Sequence, residues 1–165
     1  DGTVPNIFRA LGNSPTTLRN FMRLGNSILR HLKLSPRLRE LAILRVASLT
    51  GSAYEWAHHV PLAREAGISE EALYQIGQWR RSLAFDAQES AVLALAEAST
   101  LDVQVPDEVF RRVREFLDEE EVVELLMTIG YYNLVARLLV GLKVDVEPGY
   151  QQWSLPPDDL RPERR

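Results

Sequence analysis

A chain of 165 residues, 45% hydrophobic and 25% charged, is long enough to bury a core unaided and too apolar to stay disordered. Its net charge of −4 supplies no positive field to draw in nucleic acid, and the absence of cysteine excludes disulfides, thiolate metal sites and thiol reactions. No apolar run approaches the roughly 18–20 residues of a membrane span and no signal-peptide pattern opens the chain, so a cytoplasmic protein with neither nucleic acid nor membrane as partner is expected.

Helix signals then recur along the chain. Ser14-Pro15 joins an N-cap to proline at the first helical position, and Leu18, Phe21, Met22, Leu24, Ile28, Leu29 and Leu32 follow at mostly helical spacing. Ser35-Pro36 repeats the signal and launches a helix over 38–50, which Gly51 interrupts. The next helix covers 52–66 and closes on Gly67. Ser69 caps a short helix to about residue 77. Asp86 with Glu89 forms a capping box before the run of Ala91, Leu93, Leu95 and Ala96. Pro106 starts a helix reaching about residue 117, and Asp118 with Glu121 repeats the box before the longest segment, 122–142. That segment is apolar on nearly every side, more than a monomer's surface helix needs, so a homo-oligomer is expected, a dimer or a trimer-based ring. The tail, 144–165, reads as extended, strapped down by Tyr150 and Trp153, with 144–146 a possible short strand. The expected fold is all-α: one domain over 1–165, an orthogonal bundle of about seven helices with its core at 14–147.

Chemistry concentrates in residues 40–66, ELAILRVASLTGSAYEWAHHVPLAREA, which holds two of the three histidines. Glu55 lies three and four residues before His58 and His59, and Ser52, Glu55 and His59 share one helix face. A carboxylate beside an imidazole fixes its tautomer and leaves it able to exchange a proton near neutral pH. Such pairs are also common surface or capping contacts. One metal ion would not take both His58 and His59, which diverge by about 100° around a helix, and no HExxH spacing is present; no metal is expected. Arg45 either holds a substrate carboxylate or forms a salt bridge to Glu40 or Glu55. Tyr131, Tyr132 and Asn133 either line the same pocket or serve as core and interface residues. His31 reads as a surface residue, and Trp56, Trp79 and Trp153 as packing groups.

Residues 34–40, LSPRLRE, the alanine-rich helix after them, and Tyr54-Glu55-Trp56-Ala57-His58-His59 resemble the carboxymuconolactone decarboxylase superfamily, which includes the alkyl hydroperoxidase-D (AhpD) branch. The segments 63–69 and 124–137, with Gly130-Tyr131-Tyr132-Asn133, are similar to it too. In the peroxidase branch a glutamate precedes a CxxCxxxH motif by about one helix. Glu40 matches that glutamate and His59 the histidine, while Ser52 and Glu55 stand at the two cysteine positions and Tyr54 between them. Neither redox sulfur is present, so thiol-peroxidase activity does not carry over.

The Glu55-Trp56-Ala57-His58-His59 arrangement is similar instead to the decarboxylase side, whose members remove carbon dioxide from a carboxylated lactone without metal or organic cofactor. The resemblance implies an AhpD-like bundle, no cofactor, and a small-molecule substrate. It implies His59 as acid–base residue with Glu55 and Glu40 setting its protonation; beside these, Arg45, Ser52, Tyr54, His58, Tyr132 and Asn133 are the candidate substrate contacts. Three functions follow: a cofactor-independent lyase or isomerase, a non-catalytic binding or scaffold member of the fold, and a peroxidase-related protein that borrows a partner's thiol.

Overall fold

The centre of the molecule is the helix launched by Ser35, whose hydroxyl accepts the Leu38 N–H at 3.3 Å. In the computed structural model, which describes residues 4–156, this helix is Pro36–Thr50. Leu41, Ala42, Ile43, Leu44, Val46 and Ala47 are all fully buried, so the helix is covered on every side. Counted along the chain it is α3, after α1 (Asn6–Leu11) and α2 (Pro15–Arg30). Gly51 ends it at φ +71°, a left-handed position that glycine adopts without a Cβ clash. The chain reverses there into α4 (Ala53–Glu65), which lies back against α3.

Short α5 (Glu70–Gln75) runs directly into a 3₁₀ helix, Ile76–Arg81. Then come α6 (Ala87–Leu101), α7 (Asp107–Arg114) and α8 (Glu119–Gly141). Both expected capping boxes form: Asp86 and Glu89 exchange bonds at 2.8 and 3.0 Å, and Asp118 and Glu121 at 3.0 Å each way. Helices α4, α6 and α8 pack on α3, α2 packs on α8, and α1 on α2. The fold is all-α, with eight α-helices and no strand among the described residues.

Three differences from the sequence reading have local causes. Helix α1 lies in a stretch too short for periodicity to show, and it is held by the tail: the Asn6 backbone N–H donates to Glu147 Oε1 at 2.6 Å, and Asn6 Nδ2 to the Asp145 carbonyl at 3.0 Å. Residues 144–146 form no strand; they run on to a 3₁₀ turn, Pro148–Tyr150. Tyr150 and Trp153 do strap the tail down, on the chain's own α4, through His58 and Arg64. The tail beyond residue 156 lies outside the described residues.

The third concerns α8. It is long and apolar enough to cross a membrane by length and composition, with a mean hydropathy of 1.4 over its best window. Half of that window is buried, through Leu125, Ile129, Tyr132, Val135 and Leu139 against the bundle, as a core helix requires.

Candidate functional site

The α3–α4 reversal at Gly51 brings Glu40, near the start of α3, against His59 on α4. Glu40 is completely buried and His59 nearly so. The imidazole Nδ1 lies 2.7 Å from Glu40 Oε2, so Nδ1–H donates to the carboxylate. The second oxygen of Glu40 accepts from Arg39 Nε at 3.0 Å. Tyr132 of α8 sets its ring edge-on to the imidazole, with centroids 4.8 Å apart and planes at 88°. One carboxylate thus orients the ring and a neighbouring arginine orients the carboxylate. His59 Nε2 makes no hydrogen bond among the described residues.

Glu55 behaves differently from the sequence expectation. It lies a turn before His59 and is 2% exposed, yet neither carboxyl oxygen has a hydrogen-bond partner among the described residues, His59 included. Ser52 and Glu55 stand at the N-cap and N3 positions, the spacing of a capping box, but no such box forms, and the buried hydroxyls of Ser52 and Ser48 are also unpartnered. Burial alone pushes the Glu55 carboxyl well above its ordinary range, which favours its neutral form. Burial also raises the Tyr132 phenol, assisted by Glu40 and then Glu55, which keeps it a neutral donor beside the two glutamates. The α3–α4 seam therefore carries an oriented imidazole and a protonated carboxyl about one turn apart.

Other expected contacts go elsewhere. His58 points away from His59 and sits between two aromatic rings, Tyr54 at 4.3 Å and Tyr150 at 3.9 Å. Its Nε2 is 2.7 Å from Glu147 Oε2, and Glu147 Oε1 accepts from the Tyr54 hydroxyl at 2.8 Å. Burial pulls the His58 pKa down against the attraction of Glu147, so the contact is a neutral N–H donating to a carboxylate rather than a full ion pair. Tyr54 and His58 are thus tail anchors.

Arg45 reaches neither Glu40 nor Glu55. It is buried under the 3₁₀ helix, donating to the Ile76 carbonyl at 3.0 Å and paired with Glu97, which also accepts from Trp79 Nε1 at 2.9 Å and from Arg80 at 3.0 Å. Asn133 turns to α6, where its Nδ2 donates to Thr100 Oγ1 at 2.9 Å. Of the named contacts, Tyr132 is placed beside His59, and Ser52 is buried and unpartnered on the same seam.

Arg39, Ser48 and Glu147 escaped the sequence reading. Arg39 had a visible signal, its position beside Glu40; Glu147 had none, because its partners are about ninety or more residues away in the chain. A cleft of about 1080 Å³ lies over α6, α7 and the end of α8 beside Arg80, Glu97 and Arg137, and contains none of Glu40, Glu55 and His59. Arg80 there pairs with Glu97, and Arg137 donates to Asn133.

Known proteins share this arrangement of helices. A crystal structure of a protein of unknown function from Agrobacterium tumefaciens, provisionally described as an AhpD antioxidant defence protein, is 29% identical and superposes with a TM-score of 0.78 over 83% of this chain and 94% of that one. The debrominase Bmp8, solved with 2,3,4-tribromopyrrole, shares the fold at a TM-score of 0.80 with 19% identity, over 92% of this chain and 81% of its own. An uncharacterised peroxidase-related protein from Silicibacter sp. TM1040 does so at 0.79 and 18%, over 90% of this chain and 80% of its own. The uncharacterised protein YdfG of Bacillus subtilis is 35% identical over 106 residues, which are 63% of this chain and 72% of YdfG. The model of the carboxymuconolactone decarboxylase family matches residues 15–98, which include Glu40, Glu55 and His59. With that match spanning half of its length and the fold agreeing, the chain belongs to the carboxymuconolactone decarboxylase family.

Proposed function

We propose that this protein is a cofactor-independent, lyase-like enzyme that moves a proton on a small carboxylated lactone or related carbonyl compound. The observation that carries the reading is the buried 2.7 Å contact between His59 Nδ1 and Glu40 Oε2, which leaves Nε2 as the reactive nitrogen. In the decarboxylase-like form of the reaction, the bond to the departing carboxylate breaks and carbon dioxide leaves. The electron pair enters the conjugated carbonyl as a dienolate, and the His59 imidazolium, its Nδ1–H held by Glu40, gives its Nε2 proton to carbon and returns to the neutral ring, which solvent reprotonates. Glu55, neutral and nearby, supports the developing oxyanion as a hydrogen-bond donor. Thiol peroxidase chemistry is disfavoured, because Ser52 and Glu55 occupy the positions where that branch has cysteines and the chain has none.

The test is turnover of a panel of enol-lactones and β-keto acids. Once a substrate is found, His59→Gln is expected to lower kcat by roughly 10²–10⁴-fold in folded protein, the range for removing a general acid or base. His58→Gln, on the tail anchor, is expected to leave turnover within a few-fold. Folded protein in which His59→Gln changes nothing would reduce the seam to a binding site, the alternative of a non-catalytic or scaffold member.

The same reading includes a cytoplasmic homo-oligomer. It is supported on assembly by the outer face of α8, where Val123, Met127, Gly130 and Leu134 make one exposed stripe.

A further inference from the structure

The sequence offered Arg45 as the group to hold a substrate carboxylate, and the fold has committed Arg45 to Glu97. A different arginine holds the carboxylate that orients the imidazole. Arg39 spends its Nε–H on Glu40, and its terminal nitrogens make no hydrogen bond among the described residues. It also acts on Tyr132: burial raises that phenol, Glu40 and Glu55 add to the rise, and Arg39 opposes it. Arg39 therefore belongs to the cluster of Glu40, Glu55, His59 and Tyr132 while keeping a permanent positive charge near its edge.

That edge is open. Arg39 lines a depression of about 340 Å³ between the start of α3 and the end of α4, with Pro36, Arg37, Leu62, Glu65 and Ala66. Leu62 lies one turn after His59, so the depression adjoins the α4 segment that carries the imidazole. The second arginine there is not free: Arg37 Nε donates to Glu89 Oε1 at 2.5 Å and its Nη1 to the Gly67 carbonyl. Arg37 thus spends two of its five N–H donors away from the seam, and Arg39 one, on the carboxylate that holds His59. Pro36, Leu62 and Ala66 supply an apolar wall, and Glu65 adds one negative charge that penalises a ligand with more than one of its own.

We infer that Arg39 is the anion anchor of this site, gripping the carboxylate of a small, singly charged organic acid in the depression between the start of α3 and the end of α4. The inference rests on the acid–base reading for what happens next, but not for binding. The Nε–H on Glu40 fixes the guanidinium plane, so the terminal N–H groups meet a carboxylate as a preset fork.

The experiment is a titration with benzoate, and with benzamide as its uncharged isostere, followed by side-chain NMR of the Arg39 Nε–H and the His59 ring. Benzoate is expected to shift both signals saturably and benzamide neither. Arg39→Gln should weaken benzoate binding by about tenfold or more, Arg39→Lys by less, and Glu65→Gln should tighten it several-fold. Equal benzoate affinity in wild type and folded Arg39→Gln would overturn the inference. If Arg39→Gln does not fold, the Glu65→Gln variant decides, and unchanged affinity there would overturn it equally. Turnover is not needed for the readout. Wild-type protein that binds benzoate at Arg39 but converts no member of the lactone panel would end the acid–base reading and leave the anchor standing.

Discussion

Two glutamates at this site receive opposite treatment, and the contrast is testable. Glu40 has a partner on each oxygen, Arg39 on one and His59 on the other. Glu55 has none, and burial raises its pKa well above the ordinary 4.5. A carboxyl whose folded pKa is raised binds its proton more tightly folded than unfolded. Its contribution is therefore full below 4.5 and is lost as pH rises through the folded value. Glu55→Gln removes that titration and keeps the shape. It is expected to raise Tm relative to wild type at neutral pH, with the advantage shrinking toward pH 4.5, in thermal melts across that range. Equal pH dependence in the two proteins would show Glu55 to be ionised.

At the scale of elements, the tail clamp and the α2–α8 crossing carry separate predictions. Burial works to raise the Glu147 carboxyl, but hydrogen bonds from the Asn6 N–H, His58 and Tyr54 outweigh it and hold the pKa down to about 2. Its stabilisation is complete above 4.5 and is lost as pH falls from 4.5 toward 2. His58, depressed below 6.5 by burial, has the same sign: its share is complete above 6.5 and fades as acid protonates the ring. Acid is therefore expected to release the clamp first at His58 and then at Glu147, read as loss of Trp153 quenching or as tail proteolysis. Glu147→Gln should remove the step between 4.5 and 2.

The crossing of α2 on α8 depends on Gly25 having no side chain. A Cβ there would lie 2.5 Å from the Tyr131 hydroxyl, which donates to the Phe21 carbonyl at 2.9 Å. Gly25→Ala should displace Tyr131, break that bond and cost about 1–3 kcal/mol in denaturant unfolding, despite the better helix propensity of alanine.

For the whole molecule, the unresolved balance is on the outer face of α8. Val123 is 60% exposed, Met127 47% and Leu134 48%, and this face of the helix is left uncovered by the chain's own packing. Large exposed apolar residues in one stripe are what a second copy would bury. Light scattering is expected to give a multiple of 18.7 kDa at micromolar concentration. Leu134→Glu should shift the protein toward monomer with its helical circular dichroism intact. A wild-type monomer throughout would remove the oligomer from the proposal.

Much of this architecture is legible in the residues themselves, because the deciding physics is local. Ser35, Asp86 and Asp118 cap helices within three positions of themselves, Gly51 forces a reversal, and the apolar-rich stretches of α3 and α8 announce a shared core. The pairing of Glu40 with His59 was readable only through family resemblance, since nineteen residues and a helix reversal separate them. What the sequence could not determine is how each charge is spent. Arg45 and Arg39 are two arginines of one helix, six positions and so about 240° apart. The fold turns one onto Glu97 and leaves the other on Glu40. Glu55 and Glu40 differ likewise, one unpartnered and one paired twice, because long-range packing alone sets which polar groups meet when water is excluded.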